Sequence, residues 1–411
     1  MYAANAGCLH AGTFSSPSAR HRVIDHVGDS RNLTPQDHED IKLALRHHDR
    51  VRRIRLAMFV PYLPSLVNSI DKEFPILEHL YIDPLFYNDN GLVLPETFRA
   101  PNLRHLVLVN FALPVGSSLL ATATGLVTFS LSIIPPSVYW HTSDLLQRVS
   151  SMQHLQTLGI SFYSAVPNND VRRWVMSTPN ETHVVLPNLR WLGFQGSSTY
   201  MEAILPRMKT SMTPRLEKLQ IYLFNELTVS ITNLQQFISA AEILRFTGAS
   251  LRFGRVGFAL QAYPHKVSRT YSLFMVIYRG FDTWPLSSTA QILGVLGSVF
   301  FGVMRLSVDF CDENHMLWSG LPTYNEADRA QWHNILGSFN NVKTLCVKDG
   351  TIREISRSLK VLDGESTMDL LPELKELICS AKVDADDLFD TFAAFIEARQ
   401  HAGHPVALIS R

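Results

Sequence analysis

Residues 101–108 read Pro101-Asn102-Leu103-Arg104-His105-Leu106-Val107-Leu108. Side chains alternate faces along an extended chain, so Leu106 and Leu108 point one way and His105 and Val107 the other. A strand with one apolar side cannot bury that side by itself and needs further copies stacked beside it. The same phrase returns as Phe74-Pro-Ile-Leu-Glu-His-Leu-Tyr-Ile, Met152-Gln-His-Leu-Gln-Thr-Leu-Gly-Ile, Pro187-Asn-Leu-Arg-Trp-Leu-Gly-Phe and Pro214-Arg-Leu-Glu-Lys-Leu-Gln-Ile. Fainter copies are Val51-Arg-Arg-Ile-Arg-Leu, Leu126-Val-Thr-Phe-Ser-Leu, Ala241-Glu-Ile-Leu-Arg-Phe, Val303-Met-Arg-Leu-Ser-Val, Val342-Lys-Thr-Leu-Cys-Val and Leu374-Lys-Glu-Leu-Ile-Cys.

The first apolar residue of each copy falls at 51, 77, 103, 126, 155, 189, 216, 241, 303, 342 and 374. Most of these spacings match or slightly exceed the roughly 20–29 residues of a leucine-rich repeat, although the asparagine that usually follows the strand is missing. Helical patterns lie between the phrases. Ser143-Asp-Leu-Leu-Gln-Arg-Val is read with Ser143 as N-cap. Further helices are read from Tyr200, Leu234, Ala290 and Ala327, and from Asp386 to a stop at Gly403 and Pro405. The expected fold class is α/β: a leucine-rich-repeat-like solenoid with a curved parallel sheet and helices on its convex side.

The long gap between the phrases at 241 and 303 holds two alternating stretches, Phe253 to Tyr263 and Thr270 to Arg279. They read as one β-hairpin insertion at about residues 247–282, spliced between two repeats. Residues 1–35 are rich in Ser, Gly, Ala and His and show no period. The expectation is a disordered or loosely attached segment, followed by a repeat domain over residues 36–411.

Composition narrows the functional classes. Lys+Arg and Asp+Glu are 37 each, giving a formal net charge of zero, whereas nucleic-acid binders usually carry a basic excess. Thr283 to Met304 is free of charge, but its strongly apolar part is short for a bilayer span. It reads as a buried helix running into a strand. The chain has four cysteines, Cys8, Cys311, Cys346 and Cys379, and no apolar run of signal-peptide length at its start. That usage suits a reducing compartment, cytoplasmic or nuclear.

The segment Asp49-Arg-Val-Arg-Arg-Ile-Arg-Leu, the chain of Pro-x-Leu-x-x-Leu strands and the ending Leu370-Leu-Pro-Glu-Leu-Lys-Glu-Leu … Phe395-Ile-Glu-Ala-Arg-Gln-His-Ala-Gly-His-Pro-Val resemble the F-box/leucine-rich-repeat-like proteins of mushroom-forming fungi over residues 36–411. In that family an N-terminal F-box docks the adaptor of a ubiquitin ligase and the repeats recruit a target. The resemblance implies the substrate-recruiting part of such a receptor. Residues 1–35 are short and polar for an F-box, so the adaptor is expected as a partner only where an F-box lies upstream. The alternative is an F-box-less regulatory or structural repeat protein with no ubiquitin link.

No catalytic, cofactor or metal motif stands out. Histidines such as His10, His21, His26, His47 and His48 lack Cys or carboxylate partners at ligand spacing, and Asp384-Ala-Asp386 precedes a helix start, where acids complement the dipole. An enzyme site around Tyr263, His265 and Tyr271 is the remaining catalytic option. The basic run Arg46-His-His-Asp-Arg-Val-Arg-Arg-Ile-Arg reads as a solvated rim or as a dock for an acidic partner or phosphate. The binding residues expected on the open face of the sheet are Arg53, Arg55, His79, Tyr81, Asp83, His105, Trp191, Lys218, Gln220, Tyr222, Arg305 and Asp309. Tyr, Trp and Arg are the usual interface anchors. The expectation is a non-catalytic protein-recognition module, without cofactor, nucleic-acid or membrane partner.

Overall fold

Among the described residues, seven of the phrases enter their strands by one local device. In the computed structural model, the backbone N–H of the first apolar residue donates to the carbonyl three residues earlier, closing a tight turn. Leu77 donates to Phe74, Leu103 to Ala100, Leu155 to Met152, Leu189 to Leu186, Val303 to Phe300, Val342 to Phe339 and Leu374 to Leu371, all at 2.9–3.2 Å. The strand starts two residues later. Asparagine in the turn adds a tie to the preceding repeat: Asn102 donates to Pro75 O (2.6 Å), Asn188 to Gln153 O (3.1 Å) and Asn341 to Phe301 O (2.7 Å). The Pro-Asn-Leu wording thus joins neighbouring copies.

The structure describes residues 22–27, 34–58, 61–85, 91–164, 183–208, 216–224, 230–241, 245–254, 257–264, 271–278, 285–310, 327–348, 351–360, 366, 368–380 and 385–410. The chain divides into two units, one of Met1–Gly196 with Arg207–Thr213, the other of Ser197–Pro206 with Pro214–Arg411. Both are mixed α/β, with mostly parallel strands and helices between them.

In the first unit the strands are β1 (Arg22–Val27), β2 (Val51–Met58), β3 (His79–Pro84), β4 (Leu92–Val93), β5 (His105–Val109), β6 (Phe111–Ala112), β7 (Thr128–Ile134), β8 (Thr157–Phe162) and β9 (Trp191–Gly196). The order is β1-β2-β3-β5-β7-β8-β9, every neighbouring pair parallel, with β4 and β6 a separate two-stranded pair. The helices are α1 (Pro35–Arg46), α2 (Leu63–Asn68), α3 (Ser118–Thr122) and α4 (Thr142–Ser150). Inward side chains such as Ile54, Leu56, Leu80, Ile82, Leu106, Leu108, Phe129 and Leu158 are buried together with Leu45, Leu66, Leu119 and Leu145 from the helices. At roughly 1.5–3 kcal/mol for each large apolar side chain, that burial is what holds the strands in register.

Two expectations for this unit are corrected. Residues 1–35 are not without structure throughout: Arg22–Val27 is an edge strand paired in parallel to β2, and Ile24 is buried. A short run with one inward apolar residue carries too little periodicity to show in sequence. At the end of this segment Thr34 forms a reciprocal capping box with Asp37, which starts α1. The N-cap of α4 is His141, whose ring accepts from Ser143 N; Ser143 lies inside the helix.

In the second unit the strands are β10 (Lys218–Phe224), β11 (Gly248–Gly254), β12 (Gly257–Tyr263), β13 (Leu273–Tyr278), β14 (Arg305–Phe310), β15 (Thr344–Lys348), β16 (Glu376–Ser380) and β17 (Ala407–Ser410). Their order is β10-β13-β12-β11-β14-β15-β16-β17. Only β12 runs antiparallel to its neighbours among these described strands. The hairpin expected as a splice at 247–282 is therefore part of the sheet itself, with β12 paired along both edges. The phrase at Ala241–Phe246 is also corrected. Phe246 occupies the position two residues before a strand, and the strand is Gly248–Gly254, five residues later than the wording suggests. Its residues Gly248-Ala-Ser are too small to show the phrase.

The helices of this unit are α5 (Ser198–Ile204), α6 (Thr232–Ala240), α7 (Leu286–Leu296), α8 (Ala327–Gly337), α9 (Ile352–Leu359) and α10 (Ala385–His401). Charge-free Thr283–Met304 contains α7 and leads into β14. Among the described residues no helix is long and apolar enough to cross a membrane. Arg399 of α10 is fully buried; its guanidinium donates to Pro372 O (3.0 Å) and Leu374 O (3.2 Å) at the entrance to β16. Gly403, at φ +79°, ends the helix in the left-handed conformation that glycine tolerates best.

Candidate protein-binding face

Strand register puts the outward side chains of the first unit in lateral rows. One row runs Arg53, His79, His105, Thr128, Thr157, Trp191. The next runs Arg55, Tyr81, Val107, Ser130, Gly159, Gly193. Every residue expected from the sequence on this unit's face, including Asp83 at the end of β3, lies in these rows or in the one beyond. Register also supplies neighbours the sequence reading did not select: Thr128, Ser130, Thr157 and the two glycines.

Trp191 stands at one end of its row. A β-carbon added at Gly193 would collide with the six-membered ring of Trp191, and one added at Gly159 would come within 3.1 Å of that ring. The indole therefore lies down across two glycines on adjacent strands, with Gly193 and Gly159 buried beneath it and Trp191 itself half-buried. A flat, half-exposed aromatic ring seated on backbone is pre-positioned to stack. It loses little further rotamer freedom when something lands on it.

At the other end of the row His79 and His105 stack face to face, ring centroids 4.3 Å apart and planes within 5°. His105 Nδ1 is 3.0 Å from Thr128 Oγ1. Burial, the neighbouring His105 and Arg53 hold the His79 imidazole below its usual pKa. Burial, with Arg104 and Arg53, does the same to His105. The Arg55 guanidinium sits 5.4 Å from the Tyr81 ring centre, and Tyr81 donates to Asp83 Oδ2 at 3.0 Å. Burial pushes the Asp83 carboxyl up, partly offset by that hydrogen bond.

The basic run at 46–55 divides. Arg50 is 3.6 Å from Asp49, and Arg52 is 3.0 Å from Glu78, whose carboxyl it holds below the usual range. Arg53 and Arg55 have no carboxylate within ion-pair distance among the described residues.

The face of the second unit is built differently. Lys218 lies 4.4 Å from the Tyr271 ring centre. Gln220 donates to the Tyr222 hydroxyl, and Phe274 meets both Tyr222 (5.4 Å) and Tyr271 (4.9 Å). Asp309 is paired with Lys348 at 2.7 Å. Arg305 is exposed in register with Thr344, whose hydroxyl donates to Glu376 at 3.0 Å. Tyr263 donates to Gln261 at 2.7 Å, and burial raises its phenol pKa. His265 lies outside the described residues, as do Cys8, Cys311, His10, His21 and Asp384. Cys346 is on the outward side, whereas Cys379 is fully buried, its thiol pushed up to about 11 by burial. Among the described residues no group of three or more His, Cys, Asp or Glu is gathered as metal ligands.

No protein-family model matches the chain, and no curated protein matches it.

Proposed function

We propose that this chain is a non-catalytic protein-recognition module whose copies form a leucine-rich-repeat-like solenoid, and that the open face of the first unit holds its partner. The observation that carries the reading is Trp191 laid flat over Gly159 and Gly193. A large, half-exposed aromatic fixed on a sheet surface is the residue type and the setting in which interface energy concentrates. The resemblance to F-box/leucine-rich-repeat-like proteins extends this to recruiting targets for a ubiquitin ligase.

The test is affinity purification of the tagged chain from its own cells, beside Trp191→Ala. Proteins retained by the original chain and lost from the variant, at unchanged thermal stability, support the reading. An unchanged set of captured proteins removes this face from it. Adaptor and cullin subunits among the captured proteins support the ligase role; their absence leaves a repeat protein without a ubiquitin link.

A further inference from the structure

The end of the face opposite Trp191 has its own chemistry. Arg53 and Arg55 occupy alternate positions of β2, one in register beside His79 and one over the Tyr81 ring. The charged groups around the imidazoles are Arg52, Arg53 and Arg55 from β2, Glu78 and Asp83 at the two ends of β3, Arg104 ahead of β5, and Asp25 across from Arg55 on β1. Thr128 on β7 adds its hydroxyl. Arg52 and Glu78 engage each other, and Tyr81 engages Asp83. What remains is Arg53, Arg55 and Arg104 against Asp25, a net cationic surface among the described residues.

Resting on the reading above, we propose that this end of the face binds an acidic peptide segment of the partner protein, with Arg53 and Arg55 supplying fixed charge and the His79–His105 pair taking up a proton as the carboxylates arrive. Charge complementarity selects the occupant. A guanidinium at hydrogen-bonding reach suits carboxylates, and two stacked neutral imidazoles beside arginines become cationic only when an anion offsets the repulsion. The dimensions fit an extended segment. Arg53 and Trp191 are five strands apart in one row, about 24 Å at the spacing of sheet strands, which an extended chain covers in roughly seven residues. The segment would carry acids at the Arg53 end and an apolar residue at Trp191.

Proton uptake gives binding a sign. An anion raises the histidine pKa values, so affinity must rise as pH falls through the range in which the free pair is neutral. A linked proton changes affinity by at most about tenfold per pH unit.

The experiment is fluorescence anisotropy of the full chain with a labelled eight-residue glutamate peptide, at low salt and at pH 7.5 and 6.0. The peptide is expected to bind, to tighten about three- to tenfold at the lower pH, and to weaken as salt is added. Arg53→Glu should abolish binding, with Arg53→Gln as a milder variant should the first disturb the fold. Changing both histidines to Gln should keep binding at pH 7.5 and remove the pH slope. No binding at pH 6.0, a slope unchanged in the histidine variant, or tighter binding of a single-stranded oligonucleotide than of the peptide would each overturn the proposal. If Trp191→Ala still loses the cellular partner while the glutamate peptide fails to bind, only this inference falls. If Trp191→Ala loses nothing, the reading beneath it falls as well.

Discussion

The two units present outward faces built from similar residue types to opposite effect. In the second unit the polar groups serve one another: Lys348 holds Asp309, Lys218 covers Tyr271, Gln220 holds Tyr222, and Thr344 holds Glu376. In the first unit Arg55 covers Tyr81, Tyr81 holds Asp83 and His105 meets Thr128, but Trp191 rests on glycines and Arg53 faces outward with no carboxylate at ion-pair distance among the described residues. A partner landing on the second face must displace existing contacts before gaining its own, whereas at Trp191 and Arg53 on the first face its contacts add to those present. The difference teaches that a mixed polar and aromatic face is not by itself a binding face. What counts is whether its groups are already engaged.

The largest expected effect separates structural from functional polar groups. Arg399 is as buried as the core leucines and donates to two strand-entry carbonyls. Arg399→Ala leaves those carbonyls without their donor and should cost about 3 kcal/mol of stability in chemical denaturation. A loss under about 1 kcal/mol would show that this buried cation is a bystander. The next effect is on binding. Trp191→Ala should weaken partner affinity about thirtyfold, the scale of an interface hot spot, and Tyr222→Ala less than threefold because Tyr222 is already packed against Phe274. Measured by titration calorimetry, the reverse order would exchange the roles of the two faces.

Much of this was legible before the structure, and the reasons are specific. His79 and His105 hold the same place in their phrases, so their sharing a row followed from repeat phase alone. The inward leucines were legible for the same reason. The seat beneath Trp191 was not, because Gly159 comes 32 residues earlier and only strand register brings it under the ring. The strand at Gly248–Gly254 was missed because a decoy, Ala241-Glu-Ile-Leu-Arg-Phe, repeats the apolar wording while the true strand opens on small residues. The pairing of β12 on both edges was hidden too: alternation identifies a strand but says nothing of its direction or neighbours.

The smallest effect tests how the second unit closes its own polar groups between its helices as well as on its face. Helix α6 begins after Ile231, which has no side-chain oxygen to cap it. Glu202 of α5 performs that role, its carboxylate accepting from Asn233 N (2.7 Å) and Leu234 N (2.9 Å), while the Asn233 side chain donates back to Glu202 O. Glu202→Ala should cost about 1.5 kcal/mol, the range of a lost cap. The pH dependence carries the sharper sign. Burial raises the Glu202 pKa despite the backbone hydrogen bonds, so the folded chain holds this proton more tightly than the unfolded one. Its contribution therefore grows as pH falls through the folded value and is complete below the unfolded value. Glu202→Gln has no such titration, so the stability of the original chain relative to this variant should rise from pH 7 to pH 4. A fall instead would mean that the carboxylate is held as an anion by the N–H groups of Asn233 and Leu234, and that hydrogen bonding outweighs burial at this helix start.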